Sequence, residues 1–382
     1  MNELSKELIS EITKIRRHLH KIAELSYKEY ETTSYIQQIL TKLDLKFQKF
    51  KNLETGGFCE MGHGPCLLFR CDIDALPIKE NPDHKIISKN DDTMHACGHD
   101  FHIALGLGLL RYFQNYQDSL KGKLRVIFQP AEEAAPGGAE YIIKENIFHD
   151  AQHILGVHVD NQHATGKVIL SKKAASASST SIKINLKGPG GHTSRPDETV
   201  DLIHVCGEYI TQLKSHLTNS IDPRETLVVA FGKIAGGDTH NAIPQNIFLR
   251  GTLRTHKNQV DKKARKIISS FSSNFEKLYG IKIDLEFPTS CPATINDPSL
   301  VEKFIQSMQE SQQSSNLIFT EKPSMGADDF AVYLEKIPGL YLRVGGKSKG
   351  EPHTGAFRVS EDLIEPALNY LTGFIQYYFE QM

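Results

Sequence analysis

Residues 66–77 read Cys66-Leu67-Leu68-Phe69-Arg70-Cys71-Asp72-Ile73-Asp74-Ala75-Leu76-Pro77, an apolar run that ends in two carboxylates and closes on a proline. Asp72 and Asp74 stand at i and i+2, a spacing that puts both on one face of an extended chain. On the amino side, Leu4, Leu8, Ile12, Ile15 and Leu19 recur at helical spacing, and residues 31–43 repeat the pattern before a strand at 57–61. On the carboxyl side, a helix is expected over 102–116, where Gly106 and Gly108 predict close packing. Strands follow at 123–128 and 152–159. Strands alternating with helices predict an α/β layered domain with a mostly parallel sheet.

Residues 174–181 are a run of small side chains suited to a hinge or linker. Beyond it the pattern changes: strand 181–186, helix 200–213, strands 227–234 and 247–254, helix 262–279, strand 281–287. The order β-α-β-β-α-β is the ferredoxin-like unit. A second domain inserted into the first is therefore expected, with residues 1–176 and 290–382 forming the catalytic domain and 177–289 the insert.

The 382-residue length allows two domains and an ample core. A net charge of −2 without a long basic run argues against nucleic acid and anionic membrane surfaces as partners. No apolar stretch approaches the roughly 20 residues of a membrane span. The N-terminus carries Glu3, Lys6, Glu7, Glu11 and Lys14, too much charge for a secretion signal. The six cysteines lack the spacing of a disulfide framework, and a ligating thiolate needs a reducing setting. A cytoplasmic address is expected.

Metal-capable donors recur along the chain. Met94-His95-Ala96-Cys97-Gly98-His99-Asp100-Phe101-His102 sets a thiol and imidazoles within six residues, and Gly98 lets the backbone bend so that Cys97 and His99 face one point. Thiolate and imidazole together suit zinc and its borderline-soft neighbours. Phe128-Gln129-Pro130-Ala131-Glu132-Glu133 ends another strand in paired carboxylates. Adjacent residues in extended backbone point apart, so one glutamate can ligate while the other addresses a water. His158 closes a further strand, and His353 lies in the loop Glu351-Pro352-His353-Thr354-Gly355. Five donors exceed what one tetrahedral zinc accepts and suit a two-metal site.

In this order, Asp-Ile-Asp-Ala-Leu-Pro (72–77), Met-His-Ala-Cys-Gly-His-Asp (94–100), Phe-Gln-Pro-Ala-Glu-Glu (128–133) and Pro-Gly-Gly-Ala (136–139) resemble the two-metal amidohydrolases that include aminoacylases, hippurate hydrolases and N-acetyldiaminopimelate deacetylases. The likeness runs from Ile15-Arg16-Arg17-His18-Leu19-His20 to about Phe357. It is strongest to the N-acetyldiaminopimelate deacetylases, over 72–80 and 95–113. The resemblance implies two divalent ions (Zn, Mn, Co or Ni) held by Cys97, His99, Glu133, His158 and His353. It implies Glu132 as general base, with Asp72 or Asp74 supporting the base or a ligand. His102 is left without a fixed part.

The insert has its own motifs. Gly188-Pro189-Gly190-Gly191-His192 presents a histidine which, by the same resemblance, stabilises the oxyanion, often across a dimer interface. Asn241 and Arg254 would hold the substrate carboxylate, a task that suits a planar guanidinium. Asp238 and His240 depart from the small residues the family shows beside that asparagine. Met325 and Gly326 would wall the substrate pocket, and Asp329 reads as a helix N-terminal charge, which the macrodipole favours. The resemblance implies a homodimer formed through the insert. The expected activity is hydrolysis of N-acyl amino acids, N-acetyldiaminopimelate first and aminoacylase or hippurate-type substrates next. A metallo-carboxypeptidase and a non-catalytic metal-binding relative are the alternatives.

Overall fold

The structure is a computed structural model that describes residues 4–117, 120–347 and 350–382. The chain divides into two compact units. One comprises Met1–Ala175, Ile295–Lys322 and Asp329–Met382, and the other Ser176–Thr294 with Pro323–Asp328.

The first unit is built on an eight-stranded sheet in the order Phe47–Gln48, Gly57–Gly62, Lys123–Gln129, Cys66–Asp72, Ala151–Asp160, Gly339–Gly345, Val168–Leu170, Leu317–Phe319. Its four central strands, from Lys123–Gln129 to Gly339–Gly345, run parallel. The strand Cys66–Asp72 is buried along its whole length. Leu67, Phe69 and Cys71 enter one apolar cluster while Cys66 and Leu68 enter another. Alternate residues thus feed opposite faces, as expected of a parallel strand covered on both sides. Among the helices are Lys6–Lys21, whose Ser5 N-cap oxygen accepts from Leu8 N at 3.1 Å, and Tyr30–Lys42, His99–Asn115 and Ile364–Glu380. Gly106 in the helix His99–Asn115 faces Cys71, and a Cβ there would come 2.5 Å from its Sγ. That is the close packing the two helix glycines predict.

The second unit has the element order β-α-β-β-α-β over Ser179–Lys187, Leu202–Ser220, Leu227–Ala235, Asn246–Thr255, Asn258–Tyr279 and Lys282–Glu286. Its sheet runs 227–235, 246–255, 179–187, 282–286, antiparallel throughout. Burial alternates along Ser179–Lys187, with Ile182, Ile184 and Leu186 packed on Tyr209 and Leu213 of one helix and Ala264 and Ile268 of the other.

Three local findings differ from the sequence reading. Residues 174–178 are buried, and Ala177 N donates to the carbonyls of Ser324 (2.9 Å) and Gly326 (3.0 Å). Their small side chains serve close packing rather than a solvated linker. The same hydrogen bonds, with Arg254 Nη1 to Met325 O at 2.7 Å, explain why 323–328 joins the second unit rather than the catalytic part. Finally, beyond residue 287 the sequence predicts only a helix start at Asp329, whereas the central strand Gly339–Gly345 and the helices Pro298–Glu310 and Ile364–Glu380 also lie there.

Candidate active site

Because the four central strands are parallel, their carboxyl ends lie on one side of the sheet, the usual place for a site in such folds. Asp72 ends one strand and Asp74 follows it, Glu132 and Glu133 follow the next, His158 sits near the end of a third, and the loop bearing His353 follows the fourth. His99 opens the helix His99–Asn115 directly after Gly98, which adopts φ 86°. A side chain is rarely accommodated there, so this glycine makes the bend between Cys97 and His99 possible.

The donors converge. Within 4.8 Å of one another lie donor atoms of Cys97, His99 and His158; of Cys97, Glu133 and His353; and of His99, Glu132 and Glu133. The Cys97 thiol belongs to two of these groups. Its Sγ is 3.3 Å from His158 Nε2, and His353 Nε2 is 3.2 Å from Glu133 Oε1. All five donors of the sequence reading and both glutamates therefore share one place.

The surroundings fit a cation. His99 Nδ1 lies 2.9 Å from the Asp74 carbonyl and 3.3 Å from its Oδ1, which turns Nε2 toward the donors, and that Nε2 is buried without a hydrogen-bond partner. Orphaned buried polar atoms are costly unless something absent from the protein completes them. Burial pushes the Cys97 thiol up, so a thiolate at this position needs the field of a cation beside it. Burial opposes charge on His99 too, yet Asp72 holds its pKa well above the usual value. His353 stands at φ 62°, a left-handed conformation uncommon for a non-glycine residue.

Beneath the donors lies a buried network that the sequence reading did not identify. Arg70, whose guanidinium is almost wholly enclosed, donates to Gln129 Oε1 (2.8 Å), Asp72 Oδ2 (2.6 Å) and Asp329 Oδ1 (2.7 Å). Gln129 Nε2 donates to both oxygens of Asp329 at 2.7 Å. Asp329 stands at the N-cap of the short helix Phe330–Tyr333, as expected, but its carboxylate turns to Arg70 and to Ala139 N (3.1 Å) rather than capping that helix. His102 has its Nδ1 2.6 Å from Asp72 Oδ1, and its Nε2 accepts from Val159 N at 3.2 Å, so both nitrogens are used and it orients Asp72. The Asp72 carboxyl, although fully buried, is held well below the usual range by Arg70 and the two histidines. One signal for this network stood in the sequence: a lone arginine inside an apolar strand must find carboxylates, because buried charges are paired.

His192, Asn241, Arg254, Met325 and Gly326 belong to the second unit. His192 pairs with Ala242 in a two-stranded ribbon, and Thr193 N donates to Asn241 O at 3.2 Å, so the histidine and the asparagine are neighbours. His192 Nδ1 lies 2.7 Å from Ser194 Oγ.

An α/β protein with a cluster of thiol, imidazole and carboxylate donors at its strand ends falls in the class of metal-dependent hydrolases. Residues 68–377 match peptidase family M20/M25/M40, and the chain belongs to that family. It is 32% identical to N-acetyl-L-cysteine deacetylase of Bacillus subtilis over 97% of this chain and 88% of that protein. It is 31% identical to N-acetyldiaminopimelate deacetylase of Halalkalibacterium halodurans over 95% of this chain and 98% of that protein. Thermostable carboxypeptidase 1 of Saccharolobus solfataricus is 30% identical, with 94% and 93% covered. Among solved structures, the Bacillus subtilis YXEP protein, described as a dinuclear metal binding peptidase from the M20 family, superposes with a TM-score of 0.87 at 29% identity, covering 99% of this chain and 100% of that one. Among the described residues, no helix is long and apolar enough to cross a membrane.

Proposed function

We propose that this enzyme removes the acyl group from N-acyl amino acids, with N-acetyl substrates of the diaminopimelate type first. The observation that carries the reading is the convergence of Cys97, His99, Glu133, His158 and His353 around a second glutamate, Glu132. These five residues would hold two divalent ions, with zinc, manganese, cobalt and nickel as candidates. When bound, such ions polarise the amide carbonyl and lower the pKa of water.

The protein's own groups do the rest. Glu132 takes the proton of the attacking water as its oxygen bonds to the amide carbon. It then delivers that proton to the amine nitrogen as the C–N bond breaks, releasing a carboxylic acid and a free amino acid. Asp74 holds His99 in orientation through Nδ1, and Asp72, held by Arg70 and His102, places its negative charge beside the same imidazole. His192 donates to the developing oxyanion, Asn241 and Arg254 receive the substrate carboxylate, and Met325 and Gly326 wall its pocket.

A homodimer through the insert is supported by its edge strand Leu227–Ala235, which leaves Val228 and Ile234 exposed beside Phe248 of the next strand. Exposed apolar residues on an unpaired edge invite a second copy. Six cysteines outside any disulfide, the thiol ligand among them, suit a reducing, cytoplasmic setting.

The test is hydrolysis of N-acetyl and N-benzoyl amino acids, their α-amides and a set of dipeptides. Fastest turnover is expected on N-acetyl amino acids with a free α-carboxylate. Cleavage of dipeptides alone would support the carboxypeptidase reading, which the Saccharolobus relative favours.

A further inference from the structure

We infer that residues 24–29, which join the first two helices, are a positioning strap for the catalytic loop, and that the Glu29 carboxylate anchors it by holding Ala131 in the conformation that aims Glu132 and Glu133. The inference rests on the roles proposed above for those two glutamates.

Glu29 is fully buried, and among the described residues no cation pairs with it. Its Oε1 accepts the backbone N–H of Ala131 at 2.8 Å and of Tyr27 at 3.0 Å, and its Oε2 accepts the Thr55 hydroxyl at 2.6 Å. Ala131 stands at φ 56°. A non-glycine residue held there is strained and persists only where its surroundings enforce it. Two hydrogen bonds do so: Glu29 takes its N–H, and its carbonyl accepts from Gly138 N at 2.9 Å. The next residue is Glu132.

The strap grips the loop elsewhere too. Ser26 Oγ donates to Asp74 Oδ2 at 2.7 Å, and the same oxygen accepts Glu133 N at 3.0 Å, so Ser26 fixes the carboxylate that fixes the Glu133 backbone. The Tyr27 hydroxyl donates to the Pro136 carbonyl beyond the glutamates. Glu24 O accepts Ala75 N at 2.7 Å. Burying a carboxylate without a cation is expensive, and burial pushes Glu29 up to about 7. What the site gains is a loop that cannot drift, and a displacement of about 1 Å at a catalytic group costs on the order of 10²-fold in rate.

Glu29→Ala and Glu29→Gln separate positioning from proton transfer. The amide of Glu29→Gln can still accept both N–H groups and can donate to Thr55 Oγ1, so it should keep kcat within about threefold and leave the pH profile unchanged. Glu29→Ala should lower kcat roughly 10- to 100-fold with KM nearly constant. Exchange of the Ala131 amide in the metal-free protein should then speed up at least about tenfold. Should Glu29→Ala not fold, Ser26→Ala carries the test, with a loss of about three- to tenfold in kcat. Wild-type kcat and unchanged Ala131 exchange in a folded Glu29→Ala protein would overturn the strap. A Glu29→Gln protein as impaired as Glu29→Ala would replace positioning with a proton-transfer role. Glu132→Gln is measured alongside: if it retains full activity, the base is misassigned, while the Ala131 exchange rate still decides the strap.

Discussion

Cys97 stands in both outer donor groups, with His99 and His158 in one and Glu133 and His353 in the other. A single thiol shared this way makes Cys97→Ser the most informative ligand substitution. It should weaken metal retention at least about tenfold and cut turnover with it, measured as bound metal after dialysis against a graded chelator series. Unchanged metal content would remove Cys97 from the site. The adjacent glutamates should behave differently: Glu132→Gln should keep its metals and lose on the order of 10²–10⁴ in kcat, whereas Glu133→Gln should lose metal as well. Exchanged behaviour would reverse the two roles. The donors were legible in the sequence because each sits beside a glycine, a proline or a strand end in a distinctive motif. Arg70, His102 and Asp329 were not, since their meaning lies in partners distant along the chain, such as the 259 positions between Arg70 and Asp329.

At the scale of elements, apolar periodicity identified the long strands and helices up to residue 287, while the short strands Phe47–Gln48 and Val168–Leu170 and the helix Ala139–Ile142 carry too few residues to show a period. The strand Gly339–Gly345 escaped because it is bracketed by glycines behind Pro338, residues that read as turns, and its pairing with Ala151–Asp160 lies far off in sequence. The helix His99–Asn115 shows why small residues inside an element carry information. Gly106→Ala would push a Cβ against Cys71 Sγ in a fully buried layer. Overpacking of this kind should destabilise the first unit by about 1–3 kcal/mol, seen as a lower denaturation midpoint. A midpoint equal to wild type would mean that the helix and strand separate more easily than their contact implies. Replacing Arg70 with Met should be worse, since it leaves Asp72 and Asp329 buried without the cation that joins them, a loss of about 3–5 kcal/mol in the same denaturation measurement.

For the whole molecule, insertion of one unit into another was readable from the change of pattern near residue 176. The membership of 323–328 was not, because it depends on backbone hydrogen bonds to Ala177 and Arg254 rather than on any apolar period. Stability should carry the signature of a buried charge cluster. His20 sits between Asp100 (2.9 Å) and Glu80 (2.9 Å), so only the imidazolium satisfies both carboxylates. Burial alone would lower its pKa, but the two carboxylates raise it to about 9. Burial would raise Glu80, but His20 brings it to about 2. A raised histidine stabilises the fold fully below about pH 6.5 and loses that contribution as pH rises through 9. The depressed carboxylate contributes above about 4.5 and loses its share as pH falls toward 2. Unfolding free energy should therefore decline from about pH 6.5 to 9, and His20→Asn should flatten that alkaline limb; an equally steep limb in the variant would assign it to other groups.

In the proposed function, two ions held by the Cys97–His99–Glu133–His158–His353 cluster make this chain a hydrolase of N-acyl amino acids. The most direct test of this is to strip the enzyme of metal, add back zinc, manganese, cobalt or nickel in known amounts, and follow hydrolysis of an N-acetyl amino acid against bound metal. Turnover should be negligible without metal and should saturate at two ions per chain. Full turnover in the stripped enzyme, or saturation with no more than one ion bound, would contradict it.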